Sequence, residues 1–364
     1  MAGIIEASEP RGLTKREVLG LGAAVALLAA CSGEPPAKTT SPPRSSNPRF
    51  QSGMTLTSWT RGELGSSEGK RQLERIADTG ADAVSLIPTH YQKGAKATVI
   101  YEHPQKTSSN NEVISTIDRA HDLGMGVLLK PHVDAIDESW RGFFGQGFNS
   151  DQRGEWFDSY RKFILPYAQI AGKHGVEVFS VGCELKTLSP YADEWAGIID
   201  AVRNEFGGTI TYAANYDEPG PNEPVAWYKE LDAIGIDDYT PYTPQDGPQT
   251  PEGLAAFWRQ RFSKYNALSD KYDRPYLLTE TGCSSSVGGW ADPSQPGKQP
   301  NQGVQADFYN AIFDGVPSSK GSVRGIYLWN WYINIPSDQA TNLSPQGKKA
   351  QTVFATYNRQ RVRK

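Results

Sequence analysis

Tyr276-Leu277-Leu278-Thr279-Glu280-Thr281-Gly282 is an apolar run of strand length that ends in a carboxylate, followed by a glycine and a long polar loop. Desolvating an unpaired carboxylate is costly, so a buried parallel strand has no local use for Glu at its tip. A stretch of the same form lies earlier, Val176-Glu177-Val178-Phe179-Ser180-Val181-Gly182-Cys183-Glu184. Strict alternation puts Val178, Ser180, Gly182 and Glu184 on one face of the earlier run, and Tyr276, Leu278 and Glu280 on one face of the later. Both glutamates are therefore expected to project toward a common axis.

Outward from these two runs, strand-length apolar segments alternate with segments of helical period. The expected strands are Thr55–Trp59, Ala83–Pro88, Gly126–Pro131, Glu177–Gly182, Ile210–Ala214, Ala233–Asp237, Tyr276–Glu280 and Gly325–Trp329. Helical repeats stand between them, as in Trp156, Tyr160, Phe163, Ile164, Tyr167 and Ile170, where Pro166 predicts a kink. Eight β-α units with no helix-only or strand-only block predict an α/β fold, a single-domain (β/α)8 TIM barrel over residues 53–364. An open doubly wound sheet would carry a glycine-rich phosphate turn after its first strand, and residues 59–65 do not have one.

This fold places chemistry at the C-terminal ends of its strands. Trp59, His90, Lys130, His132, Glu184, Asn215, Tyr239, Glu280, Trp329 and Trp331 gather there, and Trp140 and Trp290 lie on two long connections, 132–150 and 281–301. Two carboxylates ringed by tryptophans suit glycoside hydrolysis, one as proton donor and the other as nucleophile or base. A hydroxyl donated from Tyr239 favours the ionised form of Glu280, while burial with fewer donors keeps Glu184 protonated. Lys130 either meets a sugar hydroxyl or balances the two acids. His90, His132 and Asp134 lack a metal-site spacing, so substrate contact or core packing is the expectation for the histidines, and neither metal nor cofactor is expected. Nine Trp and 17 Tyr fit a surface that stacks on sugar rings, and a net charge of −4 with no basic face argues against nucleic acid as a partner.

The first thirty residues read as an export signal: Arg11, Lys15 and Arg16 precede an apolar run, Val18 to Ala30, too short to span a bilayer. Leu28-Ala29-Ala30-Cys31 resembles a bacterial lipobox, which makes Cys31 the expected lipid attachment site of a membrane-anchored, periplasmic or cell-surface protein. Residues 31–52, rich in Pro, Ser and Thr, are expected to form a flexible tether. Cys183 and Cys283, at strand ends across the barrel mouth, are expected to remain free thiols. The chain is expected to act as a monomer.

The runs at 128–134 (LLKPHVD), 139–144 (SWRGFF), 176–185 (VEVFSVGCEL), 210–218 (ITYAANYDE), 231–239 (LDAIGIDDY), 276–282 (YLLTETG) and 325–331 (GIYLWNW) together resemble glycoside hydrolase family 113. That family of retaining barrel glycosidases is best known for β-mannanases. The resemblance implies Glu184 as general acid/base, Glu280 as nucleophile, Tyr239 as the tyrosine orienting it and Trp329 as the platform under the reacting sugar. It implies a β-linked polysaccharide or oligosaccharide as substrate, β-1,4-mannan first, with another β-glycan or a non-catalytic carbohydrate-binding barrel as alternatives. The clan places Asn before the acid/base, where it contacts the sugar 2-hydroxyl, and this chain has Cys183. A thiol is a poor substitute, so that contact passes to Asn215 or Lys130.

Overall fold

The computed structural model describes residues 50–216, 223–317 and 322–362. The expected export signal, Cys31 and nearly all of the expected tether lie outside the described residues. The strands are β1 (Gln51–Thr57), β2 (Ala83–Leu86), β3 (Thr89–Gln92), β4 (Gly126–Leu129), β5 (His132–Ala135), β6 (Val178–Cys183), β7 (Thr209–Asn215), β8 (Ile234–Asp238), β9 (Tyr276–Thr281) and β10 (Val323–Tyr332). The helices are α1 (Ser67–Asp78), α2 (Asn110–Asp122), α3 (Ser150–Lys173), α4 (Ala192–Glu205), α5 (Pro251–Tyr272), α6 (Gln302–Gly315) and α7 (Lys349–Val362). Strands β1, β2, β4, β6, β7, β8, β9 and β10 pair in that order, and β10 returns to β1 to close the barrel. The barrel pairs are all parallel, so the fold is the expected (β/α)8 barrel. Strands β3 and β5, which alternation along the sequence did not separate from their predecessors, form a small parallel pair beyond β2 and β4, with Thr89 opposite His132.

Local chemistry sets the helix starts. Ser66 accepts from the Gly69 amide at α1, Ser109 with Glu112 and Asn149 with Gln152 form capping boxes at α2 and α3, and Thr250 caps α5 before Pro251. Helix α3 runs through Pro166, as its apolar repeat from Trp156 to Ile170 predicts. β1 begins at Gln51, inside the expected tether. Gly53 in this strand must be bare: a Cβ there would come within 2.5 Å of the ring of Tyr327, its register partner on the adjacent β10.

The barrel floor is an apolar layer of Ala83, Leu128, Val178, Ala233, Leu277 and Tyr327. Above it the lumen turns polar, with Thr55, Ser85, Lys130, Ser180, Thr211, Asp237 and Thr279 all at 0 % exposure. Charged groups at the mouth thus stand on a polar plug, while the apolar shell lies between strands and helices.

Simple alternation fails on both decisive strands. Leu277 belongs to the floor, and Tyr276 and Leu278 pack outward in the shell, the reverse of the expected facing. Glu280 still points inward because β9 carries one extra residue: pairing with β8 steps from Ile236↔Leu278 to Asp237↔Glu280. Strand β6 does the same, stepping from Ser180↔Thr211 to Cys183↔Ala213. A bulge of this kind re-aims a side chain. On β6 it turns Gly182 toward the helices, where a Cβ would lie 2.6 Å from the Tyr212 ring, and turns Cys183 into the lumen. Glu184 follows with φ 54, a left-handed conformation that is uncommon and strained for a residue with a side chain.

Candidate active site

Glu280 is 6 % exposed and accepts from two donors. Lys130, just past β4, donates its ammonium to Oε1, and the Tyr239 hydroxyl donates to Oε2 at 2.9 Å. Lys130 also lies 3.4 Å from Asp237 Oδ2, so one fully buried cation serves two acids. Burial pushes Asp237 well above the usual carboxylate range, with the charges of Glu280 and Glu184 adding to the rise and Lys130 opposing it. Thr279 Oγ1 donates to the other Asp237 oxygen at 2.6 Å. One residue along, Asp238 faces the helices and pairs with Arg261 of α5 at 2.5 Å. That buried pair fixes the end of β8 on which Tyr239 is mounted.

Glu184 is half-buried and accepts from Asn215 Nδ2 at 3.2 Å. Burial raises its pKa above the ordinary carboxylate value; Arg141, Lys130 and Asn215 pull it down and Glu280 pushes it up. The two glutamates therefore have unlike settings: Glu280 between an ammonium and a phenol, Glu184 against one amide.

Arg141 links the remaining polar groups. It pairs with Asp134 at 2.6 Å, and its NH1 lies 2.9 Å from His132 Nδ1 and 3.2 Å from Cys183 Sγ. A guanidinium only donates, so His132 Nδ1 accepts and its proton resides on Nε2. That nitrogen has no hydrogen-bond partner among the described residues and lies 3.8 Å from Glu280 Oε1. Burial, with Arg141 and Lys130, holds His132 well below the usual histidine range, so the ring is neutral. Burial also pushes the Cys183 thiol well up. Ligand atoms of His132, Cys183 and Glu280 lie within 4.8 Å of one another. A metal cation there would sit against both the Lys130 and Arg141 charges, so the set does not fit a resident ion.

Trp329 stacks on His132 with ring centroids 6.4 Å apart at 10°, and Trp59 adjoins Trp329 at 6.3 Å and Tyr332 at 6.1 Å. Trp59 is 36 % exposed, so these rings form an open aromatic wall beside the carboxylates. Glu184, Glu280, Tyr239, Asn215, His132, Cys183, Trp329 and Trp59 are thus brought together.

Other expected contacts are not. Lys130 has no exposed surface and acts beneath the site, as the counter-charge to Glu280, instead of meeting a sugar. His90 points to the opposite side of β3, packs on Phe163 and Tyr167, and lines a separate cavity of about 480 Å³ with Ile100 and Glu102. Trp331 is buried against α1, donating to Gln72 Oε1 at 2.8 Å, because β10 shifts register against β1 between Leu328 and Trp331. Trp290 donates to the Val304 carbonyl and packs on Tyr242. Trp140 is 37 % exposed and rests on the loop at Gly142 and Phe143. Cys183 and Cys283 are both free and buried, as expected. Asp237 and Glu223 were missed: a second Asp at a strand end and a Glu beside a loop carry no distinguishing mark in sequence. Arg141, within the run at 139–144, forms its ion pair with Asp134.

The sequence profile described as Glycoside Hydrolase Family 113 matches residues 54–348. Among solved structures, the GH113 β-mannanase AaManA from Alicyclobacillus acidocaldarius superposes with a TM-score of 0.75 at 27% identity, covering 86% of this chain and 98% of that one. A GH113 β-1,4-mannanase superposes at 0.74 and 26% identity, covering 85% and 99%. A family 5 mannosidase from Rhizomucor miehei, at 0.62 and 11% identity over 88% and 95%, shares the fold alone. No curated protein matches this chain in sequence. With a matching profile across most of its length and a carboxylate pair at the barrel mouth, the chain is a glycosidase and belongs to glycoside hydrolase family 113.

Proposed function

We propose that this glycosidase cleaves β-1,4-mannan, or oligosaccharides derived from it, by double displacement with retention of configuration. The observation that carries the reading is the unlike pair: Glu280 hydrogen-bonded by Lys130 and Tyr239, Glu184 raised by burial and held by Asn215. The choice of mannan rests on the family neighbours, one named as a β-1,4-mannanase and the other as a β-mannanase.

In the first step a Glu280 oxygen bonds to the anomeric carbon as the glycosidic C–O bond breaks, and the Glu184 proton passes to the departing oxygen. In the second, the Glu184 carboxylate takes a proton from water, the water oxygen attacks the same carbon, and Glu280 leaves. Two inversions give retention. Tyr239 orients the nucleophile, and Trp329 with Trp59 offers faces on which sugar rings stack.

The functional test is release of reducing ends by the full chain from mannan, glucan, xylan and chitosan. Mannan is expected to be the preferred substrate. Saturable glycan binding with no reducing ends from any polymer would instead describe a binding protein and end the proposal.

Donation requires Glu184 protonated, so kcat/KM is expected to fall as pH rises through its pKa, which lies above the ordinary 4.5. Arg141 favours the charged form and lowers that pKa; Arg141→Gln removes this pull. The alkaline limb of the pH profile is expected to move up by about one unit. A limb that stays in place or moves down contradicts the assignment of Glu184 as the acid.

A further inference from the structure

Glu223 carries a carboxyl group buried at 4 % exposure, two of whose hydrogen-bond partners, Tyr212 and Asn215, lead to the neighbourhood of Glu184. Its Oε1 accepts from the Tyr212 hydroxyl, and its Oε2 accepts from the Asn215 backbone amide at 2.9 Å. The Glu223 amide in turn donates to the Asn215 carbonyl at 3.1 Å, so the two residues are joined through both side chain and main chain.

Each partner then acts on Glu184. The Tyr212 oxygen, its own proton committed to Glu223, accepts the Leu185 amide at 2.9 Å. Leu185 directly follows Glu184, whose φ of 54 needs such restraint to persist. The Tyr212 ring is confined by Trp195 and Trp227, with centroids at 5.3 and 5.0 Å, so its hydroxyl has a fixed position. Asn215, anchored by Glu223, reaches Glu184 Oε1 with its side-chain amide at 3.2 Å. One carboxyl group therefore fixes the backbone turn of Glu184 on one side and its carboxyl oxygen on the other.

We propose that Glu223 is a positioning residue for the general acid/base, holding Glu184 in place through Tyr212 and through Asn215. This rests on the reading of Glu184 as the proton donor. A purely structural carboxyl would matter equally for every substrate. In kcat/KM, which reports the glycosylation step, a residue that aims the proton donor matters only when the leaving group needs a proton.

Aryl β-mannosides separate the two roles. With the full-length protein, kcat/KM is measured for 2,4-dinitrophenyl and phenyl β-mannosides in wild type, Glu223→Ala, Glu223→Gln and Tyr212→Phe, with thermal melts to verify folding. General acid catalysis is worth about 10²–10⁴-fold, and a misplaced acid forfeits part of it. The phenyl substrate is expected to slow by about 10²-fold in Glu223→Ala while the dinitrophenyl substrate changes by less than about 3-fold. Gln has one acceptor oxygen for two donors, so Glu223→Gln is expected to lie between wild type and Ala. If Glu223→Ala does not fold, Tyr212→Phe carries the same comparison, since it cuts the link to Leu185. Equal losses on both substrates, or no loss on either, in folded variants overturn the proposal. A wild-type protein that hydrolyses neither mannan nor any aryl mannoside overturns the functional reading itself, and this proposal with it.

Discussion

Glu280→Ala is expected to lower kcat on mannan by about 10⁴-fold or more, because in the proposed mechanism it removes the atom that bonds to the anomeric carbon. Folding is expected to survive. The variant leaves Lys130 one acid fewer, and Asp237 remains at 3.4 Å to accept its charge. Azide, small enough to occupy the vacated space, is expected to restore turnover of an activated aryl β-mannoside and to yield the α-mannosyl azide, formed by a single inversion. Undiminished hydrolysis, or a β-azide, would remove Glu280 from the nucleophile's role. The second product is informative, since azide delivered from the acid/base side of a surviving glycosyl-enzyme gives the β-azide.

Lys130→Met is expected to have the largest effect on stability. The side chain has 0 % exposure, and its ammonium bonds Glu280 while lying 3.4 Å from Asp237. Burial disfavours its charge, but the carboxylates of Asp237 and Glu280 outweigh that and hold its pKa above the usual lysine value. Removing one member of such a group strands the rest, at a cost of about 3–5 kcal/mol. Urea denaturation measures that loss, and kcat is expected to fall with it as Glu280 loses a donor. A variant as stable and active as wild type would mean that the ammonium neither balances nor orients the acids.

The barrel was legible because eight buried strands have to be apolar and the segments between them have to cover them. The two glutamates were legible because a carboxylate at the tip of an apolar run is expensive without a use. Their aim was not. Alternation assigned Tyr276 and Leu278 to the same face as Glu280, yet those residues pack outward, and a bulge on β9 turns Glu280 in. A bulge depends on pairing across strands, which one strand's sequence does not express. The same limit explains Trp331, two residues from Trp329 but buried against α1 after a register shift. His90 and His132 each lie at the end of a strand run, and only the placement of β3 and β5 separates the one packed on α3 from the one beside Glu280. Asp237 and Glu223 were hidden for a different reason. Their partners, Lys130 and Thr279 for one and Tyr212 and Asn215 for the other, are visible only after the chain has folded.

Cys183 has also changed in meaning. Sequence placed it where the clan has an asparagine, as a weak reader of a sugar hydroxyl. In the fold it is 4 % exposed, between Arg141 at 3.2 Å and Asp237 at 3.4 Å, and it forms part of the buried support that joins the two glutamates.

The most direct measurement is the anomeric configuration of the first product. Proton NMR during hydrolysis of a β-1,4-manno-oligosaccharide, recorded before mutarotation, is expected to show the β-anomer appearing first, with the α-anomer following slowly. An α-anomer that appears first would contradict double displacement through Glu280 and Glu184.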